Sequence, residues 1–372
     1  MQPYQSAIAG KTILVTGGAG AIGTNLTRSL SQLGAKTVIV LDDMSAAYEW
    51  NVPSLPNVLF VNGSVTDETA LKRVFQLQPD IVYHLAAFFA NQNSVDFPQR
   101  DLMVNGLGTL LVYQYATMTK VSRMVYASSG CSIYGSSAPL PLVEDFMSMH
   151  LTTPYQITKM LGELYGNFFW HHYKLPVVKA RFFNSYGPGE VPGQYRNVIP
   201  NFIYRAMKGL PLPFTGTGEE TRDFTYVDDL VDGLLRAAYF EAAVGQEMNL
   251  ASGREIRILD MAEQVNAMCG NRAGIQRAEP RVWDTKKRLL ASVDRARTLL
   301  GYEPRMEFRT GLERTVQWFR DHWDAIDRDA EFPPGMSAAA RGVTINAGSE
   351  EGVRTEDAAR PGSRPKTTAL AH

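Results

Sequence analysis

Residues 12–23 read Thr-Ile-Leu-Val-Thr-Gly-Gly-Ala-Gly-Ala-Ile-Gly, an apolar strand that runs directly into Gly17, Gly20 and Gly23. In such a motif the first glycine permits a tight strand-to-helix turn. The second lets the backbone approach a pyrophosphate at a helix N-terminus, and the third lets the helix pack closely on the strand. A second apolar run ends on Asp42, where an acid can bind the adenosine ribose hydroxyls and repel a 2′-phosphate. The pattern predicts a dinucleotide site and favours NAD over NADP.

The composition excludes several classes of protein. The chain has 372 residues, of which 45% are hydrophobic and 20% charged, as is usual for a globular enzyme. Its net charge of −1 gives no reason to expect a nucleic-acid partner. With only two cysteines, neither a disulfide framework nor a metal site is expected. Residues 1–11 lack a signal-peptide pattern and no apolar run reaches roughly 18 residues, so we expect a cytoplasmic protein that does not bind membranes.

Strand and helix patterns alternate through the first half of the chain. The predicted strands are 12–16, 37–41, 58–61, 80–84, 123–127 and 177–182, and the predicted helices between them are 21–33, 67–76, 98–119 and 153–173. This alternation predicts an α/β fold of the Rossmann type, with a doubly wound parallel sheet. Ligands of such sheets bind beyond the carboxyl ends of the strands.

The second half of the chain has a different texture, rich in proline and glycine after residue 186. We expect a dinucleotide-binding domain over 1–186 with a return segment at about 222–250, and a smaller α+β substrate lobe over 187–330. Within them, the sequence predicts a helix at 198–208, a helix capped by Asp228-Asp229 that ends near 240, and an amphipathic segment at 311–325. Residues 334–372 contain few large apolar side chains, and this composition predicts a disordered tail.

Tyr155-Gln-Ile-Thr-Lys159 opens a predicted helix, and its tyrosine and lysine share one face because they are four residues apart. A nearby ammonium lowers the pKa of a phenol and makes it a usable base near neutral pH. This spacing also occurs in ordinary amphipathic helices, so its position in the chain matters. The strand 123–127 ends in Ala127-Ser-Ser-Gly-Cys131, and a hydroxyl there can hold a substrate oxygen beside the tyrosine.

With these residues the chain resembles the extended short-chain dehydrogenases/reductases that act as NAD-dependent nucleotide-sugar epimerases and dehydratases. The resemblance covers about residues 11–325. Besides the motifs above, it rests on His84-Leu-Ala-Ala87, Asn105 in Val-Asn-Gly-Leu-Gly-Thr, Arg181-Phe-Phe-Asn-Ser-Tyr-Gly-Pro188, Thr221-Arg-Asp-Phe-Thr-Tyr-Val-Asp-Asp229 and Leu300-Gly-Tyr-Glu-Pro304.

The resemblance implies a reaction cycle and a set of cofactor contacts. Tyr155, as phenolate, removes a proton from a sugar hydroxyl, usually at C4, and NAD takes the hydride to leave a 4-keto sugar. Return of the hydride to the rotated sugar gives the C4 epimer. The residues expected to bind the cofactor are Gly17, Gly20, Ala21, Ile22, Gly23, Asp42, Asp43, Ser64, Val65, Leu85, Ala86, Ala87, Asn105, Tyr155 and Lys159.

The second lobe is similar to that of UDP-hexose 4-epimerases at the positions that bind the nucleotide diphosphate. These positions are Asn184, Asn197, Val198, Arg222, Arg281 and Asp284. The planar fork of an arginine suits a diphosphate, and Asp284 can take the nucleoside ribose hydroxyls. Arg288 stands at a position that lines the sugar pocket in those enzymes, where it can meet a uronate carboxylate. It can equally face solvent in the run Lys286-Lys-Arg288.

The sequence departs from the family pattern after strand 123–127. The turn Ser128-Ser-Gly-Cys-Ser-Ile-Tyr-Gly135 is one residue longer than usual, so either Ser128 or Ser129 can be the catalytic hydroxyl, and we favour Ser129. No Asp-Glu pair follows these serines, which argues against a sugar 4,6-dehydratase. Cys131 falls where a GDP-mannose 3,5-epimerase has its catalytic cysteine, but it can also be a small buried residue. Ser64 replaces an adenine-binding Asp, and Asp67 is predicted to be a helix N-cap.

The sequence therefore predicts a nucleotide-diphosphate-sugar 4-epimerase that retains NAD and acts on a UDP-sugar, such as UDP-glucose or UDP-galactose or a uronate. We expect a homodimer that packs through helix 98–119 and the helix that bears Tyr155. The alternatives are a dehydratase or a 3,5-epimerase that uses Cys131, and a non-catalytic NAD-binding relative. The intact Ser-Tyr-Lys set argues against the last of these.

Overall fold

Parallel strands dominate the computed structural model, which describes residues 4–278 and 286–332. The strands are β1 Thr12–Thr16, β2 Thr37–Asp42, β3 Val58–Asn62, β4 Ile81–His84, β5 Arg123–Ser129, β6 Val177–Phe182, β7 Ser185–Tyr186, β8 Leu212–Phe214, β9 Thr221–Asp223, β10 Thr225–Tyr226, β11 Glu247–Leu250, β12 Glu255–Arg257 and β13 Ile275–Arg277. Seven of them form one sheet in the order β11-β6-β5-β4-β1-β2-β3, with every pairing parallel. The predicted doubly wound sheet is confirmed, and the six predicted strands agree with the observed bounds to within two residues.

Helices cover both faces of this sheet. They are α1 Gln5–Ile8, α2 Ala21–Gln32, α3 Glu68–Phe75, α4 Asn91–Asp96, α5 Pro98–Asp101, α6 Thr109–Met118, α7 Gly130–Ile133, α8 Pro154–Tyr173, α9 Val198–Met207, α10 Val227–Tyr239, α11 Ile258–Cys269, α12 Asp294–Leu300, α13 Phe308–Asp321 and α14 Trp323–Asp329. Ile13 and Val15 of β1 lie in the apolar core beneath α2 and α10, whereas Leu14 lies in the core beneath α3, α6 and α8. Because both faces are covered, these three neighbouring residues of β1 are all apolar and fully buried.

The predicted helix 98–119 is not continuous. It consists of α5, a π-helical segment Leu102–Gly108, and α6. The wider π turn brings Gly108 so close to Val65 that a Cβ atom on this glycine would lie 2.7 Å from Val65 Cγ2. It also turns Asn105 towards the loop after β4, and π turns of this kind often occur at functional sites. Periodicity alone does not reveal such a turn.

The sequence predicts N-caps for two helices, and one of the two predictions is confirmed. Asp67 is the N-cap of α3, as predicted, and its carboxylate accepts a 2.8 Å hydrogen bond from the Thr69 amide. The prediction for α10 is wrong, because its N-cap is Tyr226 and Asp228 and Asp229 lie in the first turn. Asp229 instead accepts hydrogen bonds from the amides of residues 305 and 306 and so fixes the segment before α13. The predicted amphipathic segment 311–325 is divided between α13 and α14.

The second half of the chain contributes both to the main sheet and to smaller sheets beside it. Strand β11 returns to the main sheet next to β6, and α10 packs on β5 and β6. Outside the main sheet, β8 pairs with β13, β9 with β12 and β7 with β10. The division into domains 1–186 and 187–330 remains our proposal, and the predicted tail 334–372 lies outside the described residues. No helix in the described part of the chain is both long and apolar enough to cross a membrane.

Candidate active site

A cavity of about 740 Å³ opens beyond the carboxyl ends of the strands of the main sheet. Six of these strands deliver residues to it at or just after their last position: Gly17 after β1, Asp42 from β2, Gly63 after β3, Leu85 after β4, Ser129 from β5 and Asn184 after β6. This is the edge at which parallel α/β sheets bind their ligands. The same cavity extends to residues of α9, β8 and β9, so both halves of the chain line one continuous space.

The three glycines of the first turn are required for different reasons. Gly17 has a φ of +69°, and a Cβ atom on it would lie 2.6 Å from the amide nitrogen of Ala86. A Cβ on Gly23 would lie 2.3 Å from the Gly17 carbonyl oxygen. Gly20 is different, because a Cβ there would meet only that same oxygen at an ordinary 3.4 Å. The fold itself therefore leaves room above Gly20, at the N-terminus of α2, and a bound pyrophosphate fits this room.

Asp42 closes the glycine-rich loop from the neighbouring strand. Its Oδ2 accepts a 3.0 Å hydrogen bond from the Ala19 amide and its Oδ1 accepts one of 3.0 Å from the Met44 amide. Burial raises the pKa of Asp42, and the two backbone hydrogen bonds oppose that rise. Each carboxylate oxygen has a further lone pair, so the side chain can still accept hydrogen bonds from two ribose hydroxyls. The residues thus fit the adenosine half of a dinucleotide without a 2′-phosphate.

Most of the other predicted cofactor residues line the same cavity. These are Ala21, Ile22, Asp43, Ser64, Val65, Leu85, Ala86 and Ala87. Asn105 does not line it. Its amide accepts a 2.8 Å hydrogen bond from the backbone of Phe88, donates to the Phe88 carbonyl at 3.1 Å, and donates to Asp101 at 2.8 Å. Asn105 therefore holds the loop after β4 in place through its hydrogen bonds to the backbone of Phe88, and it does not line the cavity.

The loop after β2, residues 43–57, is attached to the far end of the described chain. The indole nitrogen of Trp50 donates a 2.8 Å hydrogen bond to the Asp329 carboxylate. Its ring stacks on Trp318 at 6.0 Å and on His322 at 5.9 Å between ring centroids. Ser45, Ala46 and Ala47 of this loop line the cavity. The contacts of Trp50 with α13 and α14 therefore hold in place the loop that lies over the proposed adenosine end of the cavity.

Tyr155 and Lys159 lie in the first two turns of α8. The helix begins at Pro154, and the side chain of its N-cap, Thr153, accepts a hydrogen bond from the Gln156 amide. The Lys159 ammonium lies 5.6 Å from the centroid of the Tyr155 ring and donates a 2.9 Å hydrogen bond to the Ala127 carbonyl. Both side chains are buried but line the cavity, so the predicted pair does come together at the carboxyl end of β5.

Charge and burial set the ionisation of this pair. Burial lowers the pKa of Lys159 to about 8, and the charge of Asp101 opposes this effect. Burial raises the pKa of Tyr155, as do the charges of Asp101 and Cys131, while a hydrogen bond with Ser129 lowers it. The phenol is therefore neutral in the free protein. The cationic form of Lys159 and any further positive charge in the cavity favour the phenolate.

The two serines at the end of β5 have different environments. The Ser128 hydroxyl donates a 2.5 Å hydrogen bond to Glu163, which forms a buried ion pair with Arg181. The Ser129 hydroxyl is hydrogen-bonded to the Tyr155 phenol and donates a 3.0 Å hydrogen bond to Ser132. The geometry thus favours Ser129 as the hydroxyl that acts beside the tyrosine.

Cys131 follows these serines in the short helix α7 and lines the cavity. Its sulfur accepts a 3.3 Å hydrogen bond from the Asn184 amide. Burial raises the pKa of its thiol to about 11, and the nearby charges of Lys286 and Arg222 lower it only in part. A thiol with this pKa is protonated at neutral pH and is a poor base.

The predicted substrate residues are only partly brought together. Asn184, Asn197, Val198 and Arg222 line the cavity, whereas Arg281 and Asp284 lie outside the described residues. Arg288 lies outside the cavity lining, and its Nε donates a 2.9 Å hydrogen bond to Glu255. Lys286 of the same basic run lines the cavity instead, and its ammonium donates a 2.6 Å hydrogen bond to the Cys131 carbonyl. Of the two positions, the structure therefore brings Lys286 to the cavity.

The residues at or beside the cavity that the sequence did not single out include Asp101, Ser132, Glu190 and Lys286. Asp101 precedes Asn105 by one helical turn, a spacing that could have indicated a pair. Glu190 is buried in the cavity wall and accepts a 3.0 Å hydrogen bond from the Asn197 side chain, which it orients at the start of α9. No sequence signal marks Glu190, which lies in an irregular segment, or Ser132, which lies in the four-residue helix α7.

Comparison with known proteins adds independent findings. The model of the NAD dependent epimerase/dehydratase family matches residues 13–251. The UDP-glucose 4-epimerase of Mycolicibacterium smegmatis is 32% identical over 311 residues, which cover 83% of this chain and 98% of that protein. The structure of the epimerase Mth375 of Methanothermobacter thermautotrophicus is 53% identical, with a TM-score of 0.88, over 89% of this chain and 98% of that chain. The enzyme WbmF of Bordetella bronchiseptica, solved with NAD+ and UDP, is 34% identical, with a TM-score of 0.75, over 87% and 96%.

Proposed function

Because the chain belongs to the NAD-dependent epimerase/dehydratase family, we propose that it is a nucleotide-diphosphate-sugar 4-epimerase that acts on a UDP-sugar. One observation carries the proposal. A single cavity is lined by the glycine-rich turn with Asp42, by the Ser129–Tyr155–Lys159 set, and by Arg222 from the second half of the chain. A dinucleotide and a nucleotide sugar can therefore meet at the tyrosine.

The residues present support the chemistry of such a cycle. Tyr155 takes the proton of the sugar hydroxyl at C4, and Ser129 holds the oxygen that changes between hydroxyl and ketone. Lys159 stabilises the phenolate by its positive charge. Bound NAD supplies the acceptor and donor of the hydride at C4. When the 4-keto sugar presents its other face, Tyr155 returns the proton and the epimer is formed.

Several features favour epimerisation over dehydration or 3,5-epimerisation, although the relatives include both epimerases and dehydratases. Loss of water across C5 and C6 needs an acid and a base beside the 4-keto sugar. The turn after Ser129 offers Cys131 and Ser132 in place of an Asp-Glu pair. Since the Cys131 thiol is protonated at neutral pH, it does not supply the base.

A UDP-sugar is the substrate class that we favour. Arg222 can pair with a diphosphate, and Asn197 and Val198 at the start of α9 line the same cavity. WbmF, a structural relative, was solved with NAD+ and UDP. Lys286 adds positive charge near Cys131, a position that suits a uronate as well as a neutral hexose.

We also propose that the protein is a homodimer. An apolar stripe runs along α8 and the adjacent π-helical segment, and its exposed members are Leu102, Met103, Leu107, Ile157, Leu164 and Phe168. A contiguous patch of this kind marks an interaction surface. Leu164→Glu should therefore give a monomer by sedimentation, whereas Leu210→Glu, an exposed leucine elsewhere, should not change the mass. A wild-type monomer would contradict this proposal.

The reaction is tested by NMR in heavy water with UDP-glucose, UDP-galactose, the two corresponding uronates and the N-acetyl forms. A 4-epimerase gives the C4 epimer without deuterium at C3 or C5. A deoxy-keto product, or deuterium at C5, would support the alternatives that use Cys131. Bound NAD with no turnover of any sugar would support the non-catalytic relative.

Tyr155→Phe is the matched variant for this experiment. It should abolish turnover while UDP binds as before, because the phenol acts on the reacting proton and the nucleotide binds elsewhere. A variant that keeps a tenth of the wild-type rate would show that another group is the base.

A further inference from the structure

Asp101 is a buried acid just below the catalytic pair, with no exposed surface. Its Oδ1 accepts a 2.8 Å hydrogen bond from the Thr158 hydroxyl, and its Oδ2 accepts one of 2.8 Å from the Asn105 amide. Thr158 immediately precedes Lys159 on α8, so this contact holds the carboxylate against the turn of the helix that carries the lysine. Both donors are neutral, and none of the ion pairs found among residues 4–278 and 286–332 includes Asp101.

We propose that Asp101 is a positioning residue whose carboxylate is the counter-charge of the Tyr155–Lys159 pair and holds Lys159 as an ammonium ion. The inference rests on the proposed function, because it assigns Tyr155 as the base. Buried charges persist only when they are paired or hydrogen-bonded. The anchors from Thr158 and Asn105 keep the carboxylate in place, and Lys159 is the cation that its charge can act upon.

The electrostatic effects agree with this assignment. Burial raises the pKa of Asp101, and the hydrogen bonds from Thr158 and Asn105, with the charge of Lys159, oppose that rise. Asp101 in turn raises the pKa of Lys159 against the effect of burial. It also raises the pKa of Tyr155, because a negative charge disfavours the phenolate. The Asp101 carboxylate therefore raises the pKa of both Lys159 and Tyr155.

The other titratable groups around the pair do not interfere near neutral pH. Burial lowers the pKa of His84 to about 3, so the imidazole stays neutral. Burial raises the pKa of Tyr126, whose ring lies 5.4 Å from the Lys159 ammonium, well above its ordinary value. The Cys131 thiol, with a pKa of about 11, is also neutral. The change of rate around pH 8 should therefore report Lys159, together with the charge of Asp101 that acts on it.

The test is the pH dependence of kcat for wild type, Asp101→Asn and Asp101→Glu. Without the negative charge, Tyr155 ionises at lower pH and Lys159 loses its proton at lower pH. The alkaline limb of the Asp101→Asn profile, which Lys159 sets, should move to lower pH by about one unit, since an adjacent opposite charge shifts a pKa by roughly one to three units. Asp101→Glu keeps the charge and should restore the wild-type limb. A lower kcat with an unmoved alkaline limb would show a merely structural role and overturn the proposal.

A second measurement does not depend on turnover. In protein labelled with ¹³C at tyrosine Cζ, the signal that is missing from Tyr155→Phe belongs to Tyr155. In Asp101→Asn this signal should titrate at lower pH than in wild type, and in Thr158→Val, which keeps the charge, the change should be smaller. An unchanged titration in a folded Asp101→Asn protein overturns the inference even if no sugar substrate has been found. If only the sugar assays fail, the proposed function is at fault and this inference is judged on the titration.

Discussion

The Ser128 hydroxyl donates a 2.5 Å hydrogen bond to the carboxylate of Glu163, on the helix that carries Tyr155. Glu163 also accepts two hydrogen bonds from the Arg181 guanidinium, at 2.9 and 2.7 Å. This buried arrangement ties the ends of β5 and β6 to α8, one helical turn after Lys159. The Ser128 hydroxyl is thus engaged within the fold, and we propose that Ser129 is the serine that acts in the cavity.

Exchange of the two serines for alanine should separate these roles. Ser129→Ala should lower kcat by about 10²-fold or more, because the tyrosine loses its hydrogen-bonding partner at the reacting oxygen. Ser128→Ala should retain most of the activity but lower the free energy of unfolding by about 1.5–3 kcal/mol, the range for a hydrogen bond to a charged group. Steady-state kinetics and urea unfolding check both. The reverse pattern would show that Ser128 is the catalytic hydroxyl.

Arg222 and Arg288 should differ in their effect on nucleotide binding. Arg222 lines the cavity, so Arg222→Ala should weaken the binding of free UDP by about 1.5–3 kcal/mol, as expected for charge-assisted hydrogen bonds. Arg288→Ala is the matched control, because its guanidinium is paired with Glu255 outside the cavity lining. Isothermal titration calorimetry measures both. Unchanged binding in Arg222→Ala would contradict the position that we propose for the diphosphate.

Cys131→Ala should keep most of the epimerase activity. The thiol has a pKa of about 11 because it is buried, so it is protonated at the pH of the assay. For the same reason, alkylation of Cys131 by iodoacetamide should be slow at pH 7 and should accelerate as the pH rises towards 11. Mass spectrometry of the modified peptide follows this rate. Loss of activity in Cys131→Ala, together with deuterium at C5 of the sugar, would favour the 3,5-epimerase or dehydratase.

His84 should make the fold sensitive to acid. Its ring lies between the hydroxyls of Thr16 and Thr109, at 2.7 and 2.9 Å, and burial lowers its pKa from about 6.5 to about 3. The pKa of His84 is lower in the folded than in the unfolded state, so protonation favours the unfolded state. The contribution of His84 to stability is therefore fully present above pH 6.5 and is lost as the pH falls from 6.5 towards 3. Between pH 7 and 5 the loss from this one group is about 2 kcal/mol.

The neutral variant His84→Asn provides the comparison for this effect. Its free energy of unfolding should be lower than that of wild type at pH 7, but it should change less between pH 7 and 5. Urea unfolding at the two pH values gives both numbers. An equal pH dependence in the two proteins would mean that His84 takes up its proton over the same pH range in the folded and unfolded states, contrary to the effect of burial.

The parts of the site that were predictable are those encoded in local patterns. The turn at Gly17, the acid at the end of β2 and the Tyr155–Lys159 spacing each depend on a few adjacent residues and on one regular element. The parallel sheet follows from alternation of such elements. For these features the residues that make the structure are also neighbours in the chain.

The features that were missed depend on contacts between distant segments. The π turn at Leu102–Gly108 accommodates the contact of Gly108 with Val65 and the hydrogen bonds of Asn105 to Phe88. The turn after Ser129 forms α7, which brings Ser132 beside Ser129. Lys286 and Arg288 differ by two positions in an irregular segment, where no period tells which of them faces inward. The periodicity of apolar residues along the sequence carries no information about such contacts.

The hydrogen bond from Trp50 to Asp329 joins residues 279 positions apart. During synthesis the glycine-rich turn emerges early. The loop after β2 cannot be held over the proposed adenosine end by this hydrogen bond until α14 has left the ribosome. Contacts of such long range form late and slowly. A dinucleotide that binds only the form in which this hydrogen bond is made stabilises the whole folded chain by mass action. Tight cofactor capture would then mark the completion of folding, and a chain that stalls before Asp329 would hold the cofactor only loosely.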